Sequence, residues 1–423
     1  MKRLAALLLV LLACCARERP TADPDLQSEI DRVPAIDNHA HPVRYVPAGN
    51  PPDRFFDALP VDNMEPQSDP VNLRLGAPAI ADAARTLYGS TDRAAKQRTI
   101  EQRRDGYPAW VLDQAGIETL LANRVEMGPS IQPPRFRWVP YIDALLFPLS
   151  TSALAARNSD RKSFFALENI LLQRYLQEAN LTASPGTLDD YLIRVVTPTL
   201  ERHRQGGAVA EKFEAAYLRS LAFDKVDRAA ADRIYARGGT LSESEYKPLQ
   251  DFIFRYIAAE CGRLGMAVHL HTMAGAGGYF DVAGANPLNL EPVLDDPELR
   301  KANFVMIHGG WPFTREITAL LTKPNAYVDF SAQSLSLTPT TLAAIIREWL
   351  EYIPEKVMFA TDAYPYSAEM GWEESLVAAS RAGRKALAIA LTGMLRDNEI
   401  TRQRASELAR MVMRENAKKL YKF

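Results

Sequence analysis

Residues 36–41 read Ile36-Asp37-Asn38-His39-Ala40-His41, a short apolar run that ends in two histidines two positions apart. Two similar runs follow, Ala267-Val268-His269-Leu270-His271 and Phe304-Val305-Met306-Ile307-His308, and a fourth, Val357-Met358-Phe359-Ala360-Thr361-Asp362, ends in a carboxylate. Five of the six histidines therefore lie in three runs. Short apolar runs predict buried strands, and neutral imidazoles with a carboxylate are ligands that a divalent transition metal prefers. The pattern predicts a metal-dependent enzyme.

Eight strand candidates alternate with helical segments along the chain. They are residues 33–37, 116–123, 136–141, 207–213, the runs ending at 271 and 308, residues 327–330, and the run ending at 362. Repeated βα units without a glycine-rich dinucleotide motif favour the α/β class and a closed (β/α)8 TIM barrel over an open doubly wound sheet. The carboxyl ends of barrel strands share one rim, so His41, His271, His308 and Asp362 are expected to converge.

The N-terminus differs in composition from the rest. An apolar run at residues 4–13 follows Lys2 and Arg3 and is too short to span a bilayer as a helix. Leu11-Leu12-Ala13-Cys14 resembles the bacterial lipobox. We therefore expect residues 1–15 to be a signal peptide, with a lipid on Cys14 that anchors an exported protein to a membrane facing the periplasm or the cell surface. A plain signal peptide is the alternative.

The remaining chain is predicted to form one domain. Residues 16–27 are expected to be a polar linker, and residues 28–423 a barrel domain with a helical and irregular insertion at about 43–115. Cys261 is the only cysteine in this part, so no intrachain disulfide is expected. A net charge of −2, with 24% charged residues, gives no electrostatic footprint for nucleic acid, and a small-molecule substrate is expected.

These runs together resemble the metal-dependent amidohydrolase superfamily, in particular the amidohydrolase 2 branch, which also contains metal-dependent decarboxylases. The resemblance covers nearly all of residues 33–420. The His-x-His of the family's first strand is matched by His39 and His41, and the fifth-strand histidine by His271, which fits better than His269. His308, before Gly309-Gly310, matches the sixth strand, and Asp362 matches the eighth.

The resemblance implies a role for each of these residues. His39, His41 and His271 would hold the metal with an open position for water, and Asp362 would ligate the metal or accept the proton of that water. His308 would polarise the substrate or shuttle a proton. Zinc is the first expectation and manganese the alternative, with one ion per chain rather than two, and family members often form homodimers.

Several other residues are left with open roles. Lys212 lies near the place where some family members carry a carboxylated lysine between two metals, so it is a substrate-side or second-metal candidate. His269 is expected to be a hydrogen-bonded interior histidine that supports His271. A further set could face a substrate carboxylate, but its members are expected to be rim residues or to form helix salt bridges instead: Arg137, Tyr141, Arg219 and Arg315.

Three functions remain open at this point. The leading hypothesis is hydrolysis of a C–N or C–O bond in a small molecule by a metal-activated water. Non-oxidative decarboxylation uses the same ligands, so the motifs do not separate the two reactions. An inactive, lipid-anchored binding protein is the third, and the intact ligand set argues against it.

Overall fold

Eight parallel strands form the centre of the computed structural model, which describes residues 20–47, 49–59, 70–73, 76–158, 161–275, 277–367 and 370–423. The strands are β1 (Ala35–Ala40), β2 (Ile117–Asn123), β3 (Phe136–Val139), β4 (Ala210–Phe213), β5 (Ala267–His271), β6 (Phe304–Ile307), β7 (Ala326–Asp329) and β8 (Val357–Met358). All eight lie within or beside the predicted segments. β8 is only two residues long, so Asp362 follows it by four positions.

The strands form two sheets of sequential order, β1-β2-β3 and β4-β5-β6-β7-β8, with every pairing parallel. Backbone bridges also connect Tyr141 with Lys212 between the two sheets. At the other side, Asn38 N donates to Phe359 O at 3.0 Å and Asp362 N donates to His39 O at 2.8 Å. The α/β class with parallel strands is as predicted.

Helices precede β1, follow β8 and lie between most successive strands, but no described helix lies between β2 and β3. They are α1 (Pro24–Asp31), α2 (Pro78–Tyr88), α3 (Arg93–Arg103), α4 (Tyr107–Ala115), α5 (Ser152–Arg157), α6 (Arg161–Glu178), α7 (Leu188–Tyr191), α8 (Thr197–Gln205), α9 (Ala215–Leu218), α10 (Arg228–Arg237), α11 (Glu243–Leu264), α12 (Glu291–Leu294), α13 (Thr314–Leu320), α14 (Gln333–Ser336), α15 (Pro339–Tyr352), α16 (Trp372–Arg396), α17 (Arg402–Arg410) and α18 (Asn416–Tyr421). The segment between β1 and β2 contains α2, α3 and α4.

Local sequence explains the helix ends. Ser242 and Glu245 form a capping box at the start of α11, and Gly265 ends the helix with a left-handed φ of 68°. Thr338 caps α15 by accepting a hydrogen bond from Thr341 N, and Pro339 occupies its first position. Alternate side chains of the strands point to the space between them, where side chains from all eight strands form or pack against one apolar cluster that includes Leu121, Val305 and Met358.

The first described helix begins before residue 28, where the barrel domain was predicted to start. Residues 16–27 were expected to be a linker, but α1 begins at Pro24, where Asp23 accepts a hydrogen bond from Leu26 N. Leu26 is fully buried, so the end of the predicted linker belongs to the fold. The predicted signal peptide and Cys14 lie outside the described residues. No helix in the described ranges is both long and apolar enough to cross a membrane.

Candidate metal centre

The two histidines that follow the first apolar run meet the aspartate that follows the last. His39 Nε2 lies 3.2 Å from Asp362 Oδ1, and His41 Nε2 lies 3.3 Å from the same oxygen. The two Nε2 atoms are 3.3 Å apart. We call these three side chains the His-His-Asp triangle. Its nearly equal sides confirm that residues two apart on β1 present their side chains to the same point.

The spacing of the triangle fits a metal ion. Two ligand atoms about 2.1 Å from a tetrahedral ion lie about 3.4 Å from each other, close to the separations in the triangle. His39 Nδ1 is buried and has no hydrogen-bond partner among the described residues. Two imidazole nitrogens and a carboxylate oxygen at this distance form a donor set that a divalent cation can satisfy.

His308 lies next to the triangle. His39, His308 and Asp362 each offer a donor atom, and these atoms lie within 4.8 Å of one another. The His39 and His308 rings are 5.0 Å apart between centroids. His308 Nδ1 is 3.9 Å from Asp362 Oδ2. The structure therefore brings His308 to the candidate metal position together with the triangle.

His271 lies beside His308. Its ring lies 4.5 Å from the ring of His308 and 4.6 Å from that of Tyr217, measured between centroids. Its Nε2 is 2.8 Å from Met273 O, so this nitrogen is paired with a backbone carbonyl. The predicted convergence at the strand ends is thus present, and Nδ1 is the nitrogen of His271 that remains to act as a ligand.

The environment controls the charge of these groups. Burial lowers the pKa of His39 and of His308 well below the usual value, and burial together with the charge of Lys212 lowers the pKa of His271 to about 3. Neutral imidazoles of this kind can ligate metal. Burial alone would raise the pKa of Asp362, but His308 and the hydrogen bonds from the two β1 histidines lower it well below the usual value. The aspartate is therefore ionised.

Two side chains that the sequence did not assign hold His41. Tyr141 Oη lies 2.9 Å from His41 Nδ1, and Asp57 Oδ2 lies 3.3 Å from it. Burial opposes protonation of His41, but Asp57 and Asp362 outweigh it and raise the pKa to about 9. Asp57 lies in the irregular segment after β1, where no periodicity marks it. Tyr141 was expected to form a rim contact, and it hydrogen-bonds a site histidine instead.

Backbone conformation also marks the site. His308 and Asp362 have positive φ angles of 70° and 59°, a region that residues other than glycine seldom occupy. Gly309 and Gly310 continue the left-handed turn after His308. The turn at Asp362 is fixed by Asp37, whose Oδ1 accepts a hydrogen bond from Thr361 N at 3.0 Å. Unusual φ angles at two of the converging side chains are typical of functional sites.

Lys212 is next to the triangle. It is 1% exposed, and its Nζ lies 3.3 Å from His39 Nε2 and 3.9 Å from Glu214 Oε1. This position is compatible with either predicted role, at the substrate or at a second metal. His269 lies deeper and pairs through Nε2 with Tyr421 Oη at 2.7 Å. It is a hydrogen-bonded interior histidine as predicted, but its hydrogen-bond partner is Tyr421 rather than His271.

Three buried carboxyl groups were not anticipated: Asp143 and Glu214, which interact electrostatically with Lys212, and Glu168, which interacts with both of them. Asp143 Oδ2 accepts from Glu214 N at 2.7 Å. Each of the three also has one buried oxygen without a partner in the described part of the chain. Burial raises the pKa of all three, that of Asp143 to about 7. They place polar atoms within the protein interior that a substrate could engage.

The remaining cation candidates are occupied elsewhere. Arg219 forms a salt bridge with Asp251 at 2.5 Å, and Arg315 lies 3.8 Å from Glu348 while being 87% exposed at its side chain. The Arg137 guanidinium lies over the ring of Phe423. Salt bridges for Arg219 and Arg315 are as predicted, and Arg137 makes a cation–π contact in place of one.

Comparison with known proteins adds a family and a set of similar folds. Residues 167–423, more than half of the chain, match the sequence profile of the family described as Amidohydrolase. A search of curated proteins found no match. A solved structure from Lactobacillus casei, assigned as a metal-dependent hydrolase, has a TM-score of 0.64 and 16% identity and covers 94% of this chain and 97% of its own.

Two sugar-acid isomerases have a similar fold. Uronate isomerase from Thermotoga maritima has a TM-score of 0.58 at 13% identity, covering 94% of this chain and 96% of its own. Glucuronate isomerase from Caulobacter crescentus has a TM-score of 0.56 at 13% identity, covering 96% of each chain. At these identities the likeness is one of fold.

Proposed function

The chain belongs to the amidohydrolase family, and on that basis we propose that it is a metal-dependent hydrolase that cleaves a C–N or C–O bond in a small molecule. The observation that supports this proposal most directly is the His-His-Asp triangle, with sides of 3.2 to 3.3 Å. His39, His41 and Asp362 would hold the ion, and His271 or His308 would complete its ligand set. Zinc fits this donor set, and manganese is the alternative.

A divalent cation at this position would polarise a carbonyl group and activate a water molecule. The chain's own residues supply the remaining functions. Asp362 is ionised and 15% exposed at its side chain, so its second oxygen can accept a proton from a water molecule in the cavity. His308 is neutral, so its free nitrogen can take up a proton and then pass it to a leaving group. Tyr141 and Asp57 orient His41 by binding its Nδ1 side.

Lys212 supports two different extensions of this proposal. As an ammonium group 3.3 Å from His39 Nε2, it would attract a negatively charged substrate group toward the ion. As a ligand to a second ion, it would require carboxylation of Nζ. The number of ions per chain separates these two roles, and we propose one.

Two further reactions are alternatives to hydrolysis. Non-oxidative decarboxylation remains an alternative because neither the ligands nor their spacing distinguishes it from hydrolysis. Isomerisation of a sugar acid is a second alternative, supported by the two isomerases of similar fold. A binding protein without activity would keep the triangle but turn over nothing.

Metal content and turnover together test the proposal. The chain starting at residue 16 would be produced with zinc and manganese supplied, and its ions per chain counted by elemental analysis beside Asp362→Ala. About one ion in the wild-type chain and markedly less in the variant supports the site. Amides, esters, lactones, carboxylic acids and uronates would then be screened, with carbon dioxide and sugar isomers measured separately. A metal-free wild-type chain, or metal without hydrolysis of any substrate, contradicts the hydrolase proposal.

The fold and location carry proposals of their own. We propose that the eight strands close into a (β/α)8 barrel with residues 43–115 as an insertion, supported by the hydrogen bonds that link β8 with β1 and by the bridge between β3 and β4. We further propose a lipid on Cys14 and a homodimer in solution. Cys14→Ala should move the protein from the membrane fraction to the soluble fraction, and light scattering of the soluble chain measures its mass.

A further inference from the structure

A continuous series of buried hydrogen bonds runs from the last helix of the chain to His308. His269 Nε2 pairs with Tyr421 Oη at 2.7 Å, and Tyr421 Oη donates to Asn38 Oδ1 at 2.5 Å. Asn38 Nδ2 donates to Asp329 Oδ2 at 2.7 Å. The opposite oxygen, Asp329 Oδ1, accepts from Ser331 Oγ at 2.5 Å, and Ser331 Oγ lies 2.8 Å from His308 Nδ1. We call this series the Tyr421 network.

The donor and acceptor of each hydrogen bond between Tyr421 and His308 are fixed by the chemistry of the side chains. The Asn38 amide nitrogen can only donate, so its oxygen must accept from Tyr421. The Ser331 hydroxyl donates its one proton to Asp329, so toward His308 it can only accept. The hydrogen of neutral His308 must therefore be on Nδ1. Its Nε2 is left with the lone pair, which is the form needed to ligate a metal or accept a proton.

Asp329 is the centre of the network. It is fully buried, and its Oδ1 also accepts from the backbone N–H groups of His308 at 3.0 Å and Ser331 at 3.1 Å. The carboxylate thus fixes both the His308 backbone, in its left-handed conformation, and the side chain through Ser331. An asparagine amide interrupts the series at position 38. Since an amide does not readily exchange its protons along a chain, the network is suited to positioning rather than to proton conduction.

The far end of the network is the C-terminus. Tyr421 is the last residue of α18, and its ring stacks on that of Phe423 with centroids 5.8 Å apart. It also packs against the apolar cluster to which all eight strands contribute. The tail therefore connects the amino end of the strands with the histidine at their carboxyl ends.

We propose that Tyr421, Asn38, Asp329 and Ser331 are positioning residues that hold His308 in the Nδ1–H tautomer and so leave the lone pair on Nε2. The role of His308 in catalysis rests on the proposed function, but its tautomer does not, because the tautomer is set by hydrogen bonds within the chain. The C-terminal tail is then part of the active site, although Tyr421 follows Asn38 by 383 positions.

The tautomer can be measured without a substrate. The chain from residue 16 would be labelled with 15N-histidine, and the ring nitrogens of its six histidines observed by long-range 1H–15N correlation, with and without zinc. His308→Gln assigns the His308 signals. We expect Nδ1–H in the wild type, a mixture containing the Nε2–H form in Ser331→Ala, and a smaller change in the same direction in Tyr421→Phe. Tyr352→Phe, on the exposed side of α15, is the control.

Zinc affinity gives a second readout. Loss of a residue that hydrogen-bonds a metal ligand typically weakens metal binding about 10- to 100-fold, so Ser331→Ala should weaken zinc binding by that factor and the more distant Tyr421→Phe by about 3-fold. Thermal unfolding shows whether each variant is folded. The Nε2–H tautomer in the wild type overturns the proposal. A Tyr421→Phe protein with wild-type His308 signals and zinc affinity removes the tail from the network. If neither the wild type nor any variant binds zinc, but the tautomers are as expected, the proposed function is refuted and the network stands.

Discussion

Replacing Gly309 with alanine should destabilise the protein and loosen its metal centre. Gly309 follows His308 with φ at 57°, and an added Cβ would lie 2.4 Å from Gln333 Nε2, 2.4 Å from Trp349 Cη2 and 3.0 Å from Asp329 O. Carbon atoms pack favourably at about 3.5–4.0 Å, so the methyl group overlaps two neighbours by about 1 Å. Trp349 is fully buried, and Gln333 Nε2 donates to the His308 carbonyl at 2.8 Å. Relief of the overlap therefore moves groups that hold His308.

The magnitude follows from two contributions. A non-glycine residue in the left-handed region costs about 1–2 kcal/mol, and over-packing of a filled interior costs about 1–3 kcal/mol. We expect Gly309→Ala to lower the free energy of unfolding by about 2–5 kcal/mol. Gly265→Ala is the matched control, because Gly265 has φ at 68° with no atom within 4 Å of its added Cβ. It should show only the backbone contribution, about 1–2 kcal/mol.

Urea unfolding followed by circular dichroism measures both variants, and elemental analysis measures their zinc. The reasoning predicts a difference of at least about 1 kcal/mol between them, with zinc lost only from Gly309→Ala. Equal destabilisation of the two glycine variants, within about 0.5 kcal/mol, together with normal zinc content, would refute the packing argument.

Three other changes have defined outcomes. Asp53→Ala leaves the buried Arg124 guanidinium without the carboxylate 2.8 Å away, so urea unfolding should show a loss of about 3–5 kcal/mol, and a loss below about 1 kcal/mol would contradict the role of this pair. Burial raises the pKa of Glu168 well above its unfolded value of 4.5; the folded chain then holds a proton that the unfolded chain releases, so wild-type stability declines as pH rises above that value. Glu168→Gln should flatten the decline above pH 4.5, and parallel wild-type and variant profiles would argue against it. Zinc at about 1,000 times its dissociation constant should stabilise the wild type by about 4 kcal/mol, whereas Asp362→Asn should gain far less, as thermal unfolding with and without a chelator will show.

The sequence by itself determined the strands and the chemistry at their ends. Short continuous apolar runs are a local signal of buried strands, so the segments ending at His271, His308 and Asp362 could be located directly. The two-residue spacing also predicted that His39 and His41 face the same point. The end of helix α11 at Leu264 is also visible in the sequence, because Gly265 provides a local stop signal.

Only the tertiary structure decided which groups surround those ends. Asp57 comes from an irregular segment and Glu168 from a helix more than forty positions before β4, and no local pattern connects either with the site. The network that we propose to set the tautomer of His308 includes Tyr421, which reaches Asn38 across most of the chain. Local periodicity specifies which way a side chain points from its own element, but contacts between elements depend on the packing of distant segments. The sequence therefore predicted the candidate ligands, and the fold supplied the buried partners that set their charge and orientation.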